Sequence, residues 1–570
     1  MKVTGKEILI EKADNNKLCR LSYYKERAAD IFRRHNHRQC VWKDHAWRND
    51  RVTARFDIFT YDEAFPNARA NVSDFISLNG ACLSAENITT GFMKAIYVPH
   101  DNKGTVVDEY FYEIITDSTI TSFDKKSMYS LWVDIYVPED TKADSYTGTV
   151  AIKSEEGAVL VSCTCEIEVL EAVLPSEFST HLELWMFPYA DNRYYSGKTT
   201  EEYFGKTREN LFNIKLDSQY DDALHSQLEM YAKAGGDAIT VSIVEDPWNQ
   251  LCTWDPYPSM VKWTKKTDGS FSFDFTDLDK WVKMNMQHGI NKQIKSFTIA
   301  TWDNRITYFD MASNMVISKY PKTGSEEWSY IWTKFLYAYS QHMDNCGWFD
   351  ITYISLDEKP LDEIVPILDL IEGVGKLYGK TLKISLAVNK NDAEQIYDKI
   401  SDLSMTDFMP AIYPQVIPDR NKKGLLTTTY TCGGDYGALL RHPGDSAYAI
   451  YHSYWSGADG YLRWALDSFN ESPLISSEHK KPLAPGDINL IYPSEKTAFL
   501  RKAQSSPRYE KYIEGIREIE KIKYLKRHYP MSKGKIDDLM QKAASKETTG
   551  DEAADIRNEI YKLYKLLAKN

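Results

Sequence analysis

The stretch "DITYISLDE" (350–358) decides how the rest of the chain is read. It is a strand-like apolar run that stops on two adjacent carboxylates, Asp357 and Glu358, with Pro360 just beyond. Two meanings are open. The acids start the helix near 361, where negative charge is favourable, or they are presented for chemistry. The surrounding pattern chooses between them. Apolar runs of the same kind recur at 182–189, 238–245, 293–302, 382–390, 407–415, 427–434 and 460–469. Helical periodicity separates several of them, as in 221–236, 328–347 and 361–379. Runs that are apolar on both faces and divided by helices imply a parallel sheet. Eight such units in about 300 residues predict a (β/α)8 barrel of the TIM type. An open doubly wound sheet is the alternative, but neither GxGxxG nor a Walker loop accompanies these strands.

The first 175 residues read differently. "VTARFDIFT" (52–60) puts Val52, Ala54, Phe56 and Ile58 on one face, and "LWVDIYVP" (131–138) does the same with Leu131, Val133, Ile135 and Val137. Residues 146–170 are two strands around a Glu-Glu-Gly turn. Short alternating strands with turn signals predict an antiparallel β-sandwich over 1–175. The barrel is expected over 176–527. A charged, amphipathic helical extension occupies 528–570, packing on the barrel or pairing the chain into an oligomer.

Bulk composition narrows the partners. A net charge of −13 argues against nucleic acid and against docking on anionic membranes. No apolar run reaches the about 18 residues of a membrane span. The start carries no apolar signal-peptide core, so the chain as it stands is expected in the cytoplasm, or outside it if a signal was trimmed. The 14 Trp and 38 Tyr suit sugar binding, since flat rings pack on the C–H face of a pyranose, although large cores also use them as filler. Cys163 and Cys165 fall on one face of one strand, where they are badly placed to bond each other, and they read as reduced core residues. His35, His37 and Cys40 in "RRHNHRQC" (33–40) sit among arginines that repel a cation, so no metal or other cofactor is expected. No HExxH or GxSxG motif supports a protease or serine esterase. The rings of "WDPYPSMVKW" (254–263) either rim a pocket or fold their own loop.

Reactive groups of such barrels stand at the C-terminal ends of the strands. That filter collects Trp185, Glu245, Asp246, Trp302, Asp303, Asp357, Glu358, Asn389, Tyr413, Cys432, Trp464 and Asp467. Carboxylates, aromatics and amides at one mouth fit glycoside hydrolysis. Adjacency of the two acids is odd, because a nucleophile and an acid normally face each other about 5 Å apart from different strands. The oddity disappears if a 2-acetamido group on the substrate supplies the nucleophile. One carboxylate then orients and stabilises the acetamido N–H, and the other serves as acid and then base.

"YISLDEKP" (353–360) resembles the catalytic strand of glycoside hydrolase family 123, the retaining β-N-acetylgalactosaminidases. "VWKDHAWRNDRVTARFDIFT" (41–60) is similar to the opening of that family's N-terminal domain, "GADGYLRWALDSF" (457–469) to its last barrel strand, and "PGDINLIYPS" (485–494) to the segment after that strand. The likeness spans roughly 40–525. It implies that Asp357 orients the acetamido group, Glu358 is the acid and base, Tyr413 bonds the acetamido oxygen and Trp464 floors the sugar pocket. Asn389, Trp302, Asp467, Trp185 and Asp303 are further candidates for the sugar, chosen by position alone. Asp44 stands where the related opening carries glycine, and Phe469 where the last strand often shows tryptophan, which points to a divergent branch. The expected substrate is a glycan with terminal β-linked N-acetylgalactosamine. A β-N-acetylglucosaminidase of the same mechanism and a non-catalytic carbohydrate-binding barrel are the alternatives.

Overall fold

The computed structural model describes residues 8–22, 40–101, 103–251, 253–390, 394–431, 436–478, 483–544 and 550–569. His35, His37 and Cys432 lie outside them.

Two sheets build the N-terminal region. One has five strands, in the order Ile8–Lys12, Asp50–Thr60, Met128–Val137, Ile88–His100 and Val106–Ile115. The other runs Cys40–Arg48, Val159–Val173, Asp144–Lys153, Phe65–Val72 and Ile120–Phe123, with two short strands at its side. The alternating residues foreseen on 52–58 and 131–137 are all buried, and they share one apolar core with Val150, Ile152, Cys165 and Ile167 of the second sheet. The expectation of purely antiparallel pairing fails at one edge. Cys40–Arg48 runs parallel to Val159–Val173, and this sets Cys40 directly beside Cys163. Those two cysteines form a disulfide, so Cys163 is not the reduced core residue expected; Cys165 is, buried and free.

Eight parallel strands come next: His181–Leu184, Ala238–Ser242, Gln293–Phe297, Thr352–Asp357, Lys383–Val388, Asp402–Thr406, Leu426–Tyr430 and Gly460–Arg463. They are called barrel strands 1 to 8. From strand 2 onward each pairs with the next, and strand 8 pairs back onto strand 1, giving a nearly closed barrel. Between strands 1 and 2 a ladder is replaced by a single bridge, Leu182 to Gly236. The phenol of Tyr231 fills this seam, lying 3.1 Å from the carbonyls of Leu182 and Ala238 and accepting from the Leu184 N–H at 3.1 Å. Gly236 makes that approach possible, since a Cβ there would stand 2.4 Å from the Tyr231 ring.

Two sequence expectations need correction here. Strand 6 is Asp402–Thr406, not 407–415, which instead holds a short helix, Met409–Ile412. Pro410 and Pro414 withhold the N–H groups a central strand needs, which is why the ladder stops before them. The regular β/α alternation also lapses between strands 5 and 6, where the described crossover is a 3-10 turn, Glu394–Lys399. In addition, the crossovers after strands 2 and 3 carry hairpins that join as a four-stranded sheet. Tyr257 and Trp263 are buried beneath this region, with Trp263 stacked on Phe335 at 4.5 Å, so both rings fold their loop.

The barrel interior is not wholly apolar. The Lys295 ammonium on strand 3 reaches Glu183 on strand 1 at 3.1 Å and also bonds Asp402 on strand 6. Burial opposes its charge, but Asp402 and then Glu183 outweigh burial and raise its pKa. His181 on strand 1 pairs with Asp237 before strand 2 at 3.0 Å. The C-terminal helices Lys533–Ala544 and Gly550–Leu567 pack on the barrel helix Gly444–Trp455, with Ile556, Ile560 and Tyr564 buried. Their apolar face is therefore covered within the chain. Arg557 reaches Asp44 at 2.6 Å and Lys565 reaches Glu168 at 2.7 Å, which fastens the last helix to the N-terminal sheet. A glycine in place of Asp44 would leave Arg557 without that carboxylate.

Removing one partner of a buried ion set leaves the others uncompensated, at a cost of about 3–5 kcal/mol. Lys295→Met is expected to lose about that much stability in urea unfolding. A loss under about 0.5 kcal/mol, the scale of an inert surface change, would show that the interior charges do not hold the barrel.

Candidate active site

Asp357 is the last residue of strand 4, and Glu358 continues the ladder by one bond, its N–H donating to the Ala387 carbonyl at 3.0 Å. In an extended chain, consecutive side chains point to opposite faces. Here Glu358 takes φ +49°, a left-handed conformation that side-chain-bearing residues seldom adopt and that costs about 1–3 kcal/mol. The left-handed turn breaks that alternation, and partners from two other strands hold the Glu358 carboxylate at the mouth. Asn389, just past strand 5, donates its amide to Oε2 at 2.6 Å, and the Tyr430 hydroxyl at the end of strand 7 donates to Oε1 at 2.5 Å.

Asp357 faces the other way. The Trp302 indole N–H, in the loop after strand 3, lies 3.3 Å from its Oδ2. The Lys359 ammonium sits 5.9 Å from the centre of that indole and donates to the Thr301 carbonyl at 2.9 Å. Burial, and next the charge of Glu358, push the Asp357 pKa up to about 7, against smaller opposing pulls from Trp302 and Lys359. A carboxyl poised near neutrality beside a second carboxylate is a usual mark of a reactive site.

The structure thus gathers four of the residues collected from sequence, Asp357, Glu358, Asn389 and Trp302, into one bonded set. Trp302 keeps 41% of its surface open, as a sugar platform requires. Others are engaged elsewhere. Trp185 is buried, bonded to Glu183 at 2.7 Å and stacked on Trp248. Asp467 is fully buried, its pKa raised to about 8 chiefly by burial, and it accepts from the Phe187 N–H at 2.7 Å. Trp464 is 7% exposed with the Arg463 guanidinium 5.7 Å from its ring. Asp303, Asp246 and Glu245 all gather on buried Arg305, at 3.2, 3.1 and 3.8 Å, and Glu245 also bonds Arg208. Tyr413 lies seven residues beyond the end of strand 6, half-buried against the barrel core, as the cap of the short helix.

Two members are not found by the strand-end rule as applied to the sequence. Tyr430 ends strand 7, and the same rule selects it once the strand is stopped two residues earlier than Cys432. Lys359 comes directly after the acid pair, past the strand end, and a lone lysine there carries no signal of its own. Among the described residues, two clusters have metal-ligand composition. The first, His181, Glu183 and Asp402, already holds the Lys295 ammonium. The second, Asp279, His342 and Cys346, lies on helices Thr276–Gln287 and Glu326–Asn345 and the residue that caps the latter.

Known proteins share this arrangement of domains. Residues 215–525 match the catalytic domain of glycoside hydrolase 123, and residues 20–154 match that family's N-terminal domain. The chain belongs to glycoside hydrolase family 123. Among solved structures it is similar to a family 123 glycoside hydrolase from Clostridium perfringens, solved in a study of glycolipid glycan hydrolysis, with 31% identity over 99% of both chains and a TM-score of 0.86. A β-glucuronidase from Parabacteroides merdae also aligns, with 9% identity over 81% of this chain and 50% of that one, but its TM-score of 0.30 carries no argument. A search of curated proteins finds no match. The family 123 assignment makes this chain a glycoside hydrolase acting on glycans.

The raised pKa of Asp357 has a consequence for stability. The native carboxyl holds its proton up to about pH 7, whereas the unfolded one ionises near 4. Stability therefore drains as pH rises between those values, and the cost is complete above 7. Asp357→Asn removes the cost. The variant is expected to exceed the parent by about 1–2 kcal/mol at pH 8, less than the full shift because the group keeps some solvent contact, and the gap is expected to close only at about pH 4. Urea melts at both pH values check this; a gap that does not change with pH contradicts it.

Proposed function

We propose that this family 123 hydrolase removes terminal β-linked N-acetylgalactosamine with retention, using the substrate's own 2-acetamido group as nucleophile. The observation that carries the reading is the divergence of two consecutive acids. Asp357 turns toward Trp302 and Glu358 toward Asn389 and Tyr430. Side chains aimed in different directions from one backbone corner serve poorly as opposed nucleophile and acid. They serve well on two separate atoms of one sugar, the acetamido nitrogen and the glycosidic oxygen. The relative solved in a study of glycolipid glycan hydrolysis supports a glycan substrate.

Asp357, ionised, accepts the acetamido N–H, and such a donor favours its charged form. The acetamido carbonyl oxygen attacks C1 as the bond to the leaving oxygen breaks, and Glu358 gives that oxygen its proton. The oxazolinium ion that forms carries its positive charge against Asp357. Water then attacks C1, Glu358 takes its proton, and the ring C–O bond of the oxazolinium reopens to the acetamide. Asn389 and Tyr430 fix the Glu358 carboxyl for both transfers. With this reading we take the chain as an N-terminal β-sandwich to about residue 175, a TIM-type catalytic barrel to about 527, and a helical extension.

Matched aryl glycosides test the proposal. Aryl β-N-acetylgalactosaminide is expected to be cleaved, the gluco epimer more slowly, and the plain β-galactoside not at all. Glu358→Gln is expected to slow poor leaving groups by about 10²–10⁴-fold and good ones far less, because good ones need little protonation. Asp357→Asn is expected to slow all of them alike, by about 10²–10³-fold. Cleavage of the plain galactoside at an equal rate, or wild-type rates in both variants, overturns the mechanism.

A further inference from the structure

A carboxylate, an imidazole and a thiol meet between two helices outside the barrel sheet. His342 lies in the last turn of helix Glu326–Asn345, and Cys346 caps that helix. The helical bond from the Cys346 N–H to the His342 carbonyl, 3.0 Å, puts the two on one face. Asp279, in the first turn of helix Thr276–Gln287, meets them from the neighbouring helix. Its Oδ1 stands 2.7 Å from the His342 Nε2, and the Cys346 Sγ stands 3.8 Å from the same nitrogen. The three donor atoms lie within 4.8 Å of one another. The Phe275 ring stacks on the imidazole at 4.1 Å, which fixes its plane. Such a set could also be a nucleophile relay, but a relay needs the acid on one ring nitrogen and the thiol on the other. Here both face Nε2. A hydrogen bond from that nitrogen to Asp279 leaves it nothing for the thiol, whereas one ion can take all three donors.

We propose that Asp279, His342 and Cys346 bind one divalent ion of the zinc class, which staples together the helices before and after barrel strand 3. The donors argue for that class. Magnesium and calcium take oxygen ligands, whereas zinc accepts nitrogen, oxygen and sulfur in one tetrahedron. At zinc distances of about 2.0–2.3 Å, a tetrahedron sets nitrogen and sulfur about 3.5 Å apart and nitrogen and oxygen about 3.3 Å apart. The sulfur is close to its place, and Asp279 has to yield by about 0.6 Å. Its side chain, 23% exposed, has room to do so. The end of a helix carries partial negative charge, which favours a cation beside Cys346. Lys283 supplies a weak one, its ammonium 3.5 Å from the second oxygen of Asp279 and its side chain 61% exposed. Strand 4 starts at Thr352, soon after Cys346, and carries Asp357 at its far end. The ion therefore braces the wall around strand 3 and takes no part in hydrolysis.

Cobalt(II) occupies zinc sites and takes its colour from their ligands, so it reads this one directly. The full chain, stripped with a chelator, is expected to bind one cobalt ion with a thiolate charge-transfer band and the intense visible bands of a four-coordinate ion. Zinc is expected to bleach both. Cys346→Ser is expected to lose the charge-transfer band, and His342→Gln to bind the ion about 10–100-fold more weakly. Cys82→Ser, at an exposed thiol elsewhere, is expected to keep the band. Lys283→Met is expected to bind about three-fold more tightly, because a competing surface cation is gone. Zinc is expected to raise the Tm of the parent and not that of Cys346→Ser. All four positions are partly or fully exposed, and near-ultraviolet circular dichroism confirms native packing in each variant. Cobalt held without the band, a band that survives Cys346→Ser, or an affinity unmoved in His342→Gln overturns the site.

Discussion

One buried ammonium holds the frame on which the site stands. Lys295 lies between Glu183 and Asp402, and so ties strand 3 to strands 1 and 6 across the inside of the barrel. Taking three charges out of water is expensive, and only their mutual pairing makes the arrangement tolerable. Lys295 is also the register partner of Tyr353 on strand 4, with its ammonium 5.1 Å from that ring. Four residues further along the same strand is Asp357. The strand that carries the acid pair is therefore anchored from below by a fixed charge, while the Tyr231 phenol closes the seam between strands 1 and 2.

Above this frame, function comes at the cost of local strain. Glu358 in a left-handed conformation gains nothing for the fold, since a glycine or asparagine would sit there more easily. What the turn does is break the strand's alternation at Glu358, and the two carboxylates are then held by separate partners. Asn389 and Tyr430 then hold Glu358, and Trp302 holds Asp357, so each acid is fixed from a different strand. Burial, and after it the repulsion from Glu358, raises the pKa of Asp357.

Much of the architecture was legible because it rests on periodicity. The burial of Val52 to Ile58 and Leu131 to Val137 reflects alternation, and seven of the eight barrel strands announce themselves as apolar runs. Strand 6 did not, since "DLSMT" (402–406) is short and carries an acid, Asp402, whose burial makes sense only once Lys295 is placed opposite. The disulfide escaped for a similar reason: its partners are 123 residues apart, and only the parallel pairing of an edge strand aligns them. At the site, adjacency singled out Asp357 and Glu358 from sequence. Trp185, Asp467 and Asp303 met the same strand-end criterion but were absorbed by packing and ion pairs. A strand end says where the backbone stops, not which way a side chain turns or whether a neighbour already claims it.

The central claim is that the acetamido oxygen attacks the anomeric carbon, with Asp357 supporting it. The most direct measurement is the rate on aryl β-galactosaminides whose N-acetyl methyl group bears none, one, two or three fluorines. Each fluorine draws electrons from the carbonyl oxygen without changing the leaving group. Participation predicts a steep, stepwise fall in kcat/KM across the series. A flat series would mean that the acetamido group is only recognised and that one of the two carboxylates attacks the sugar itself.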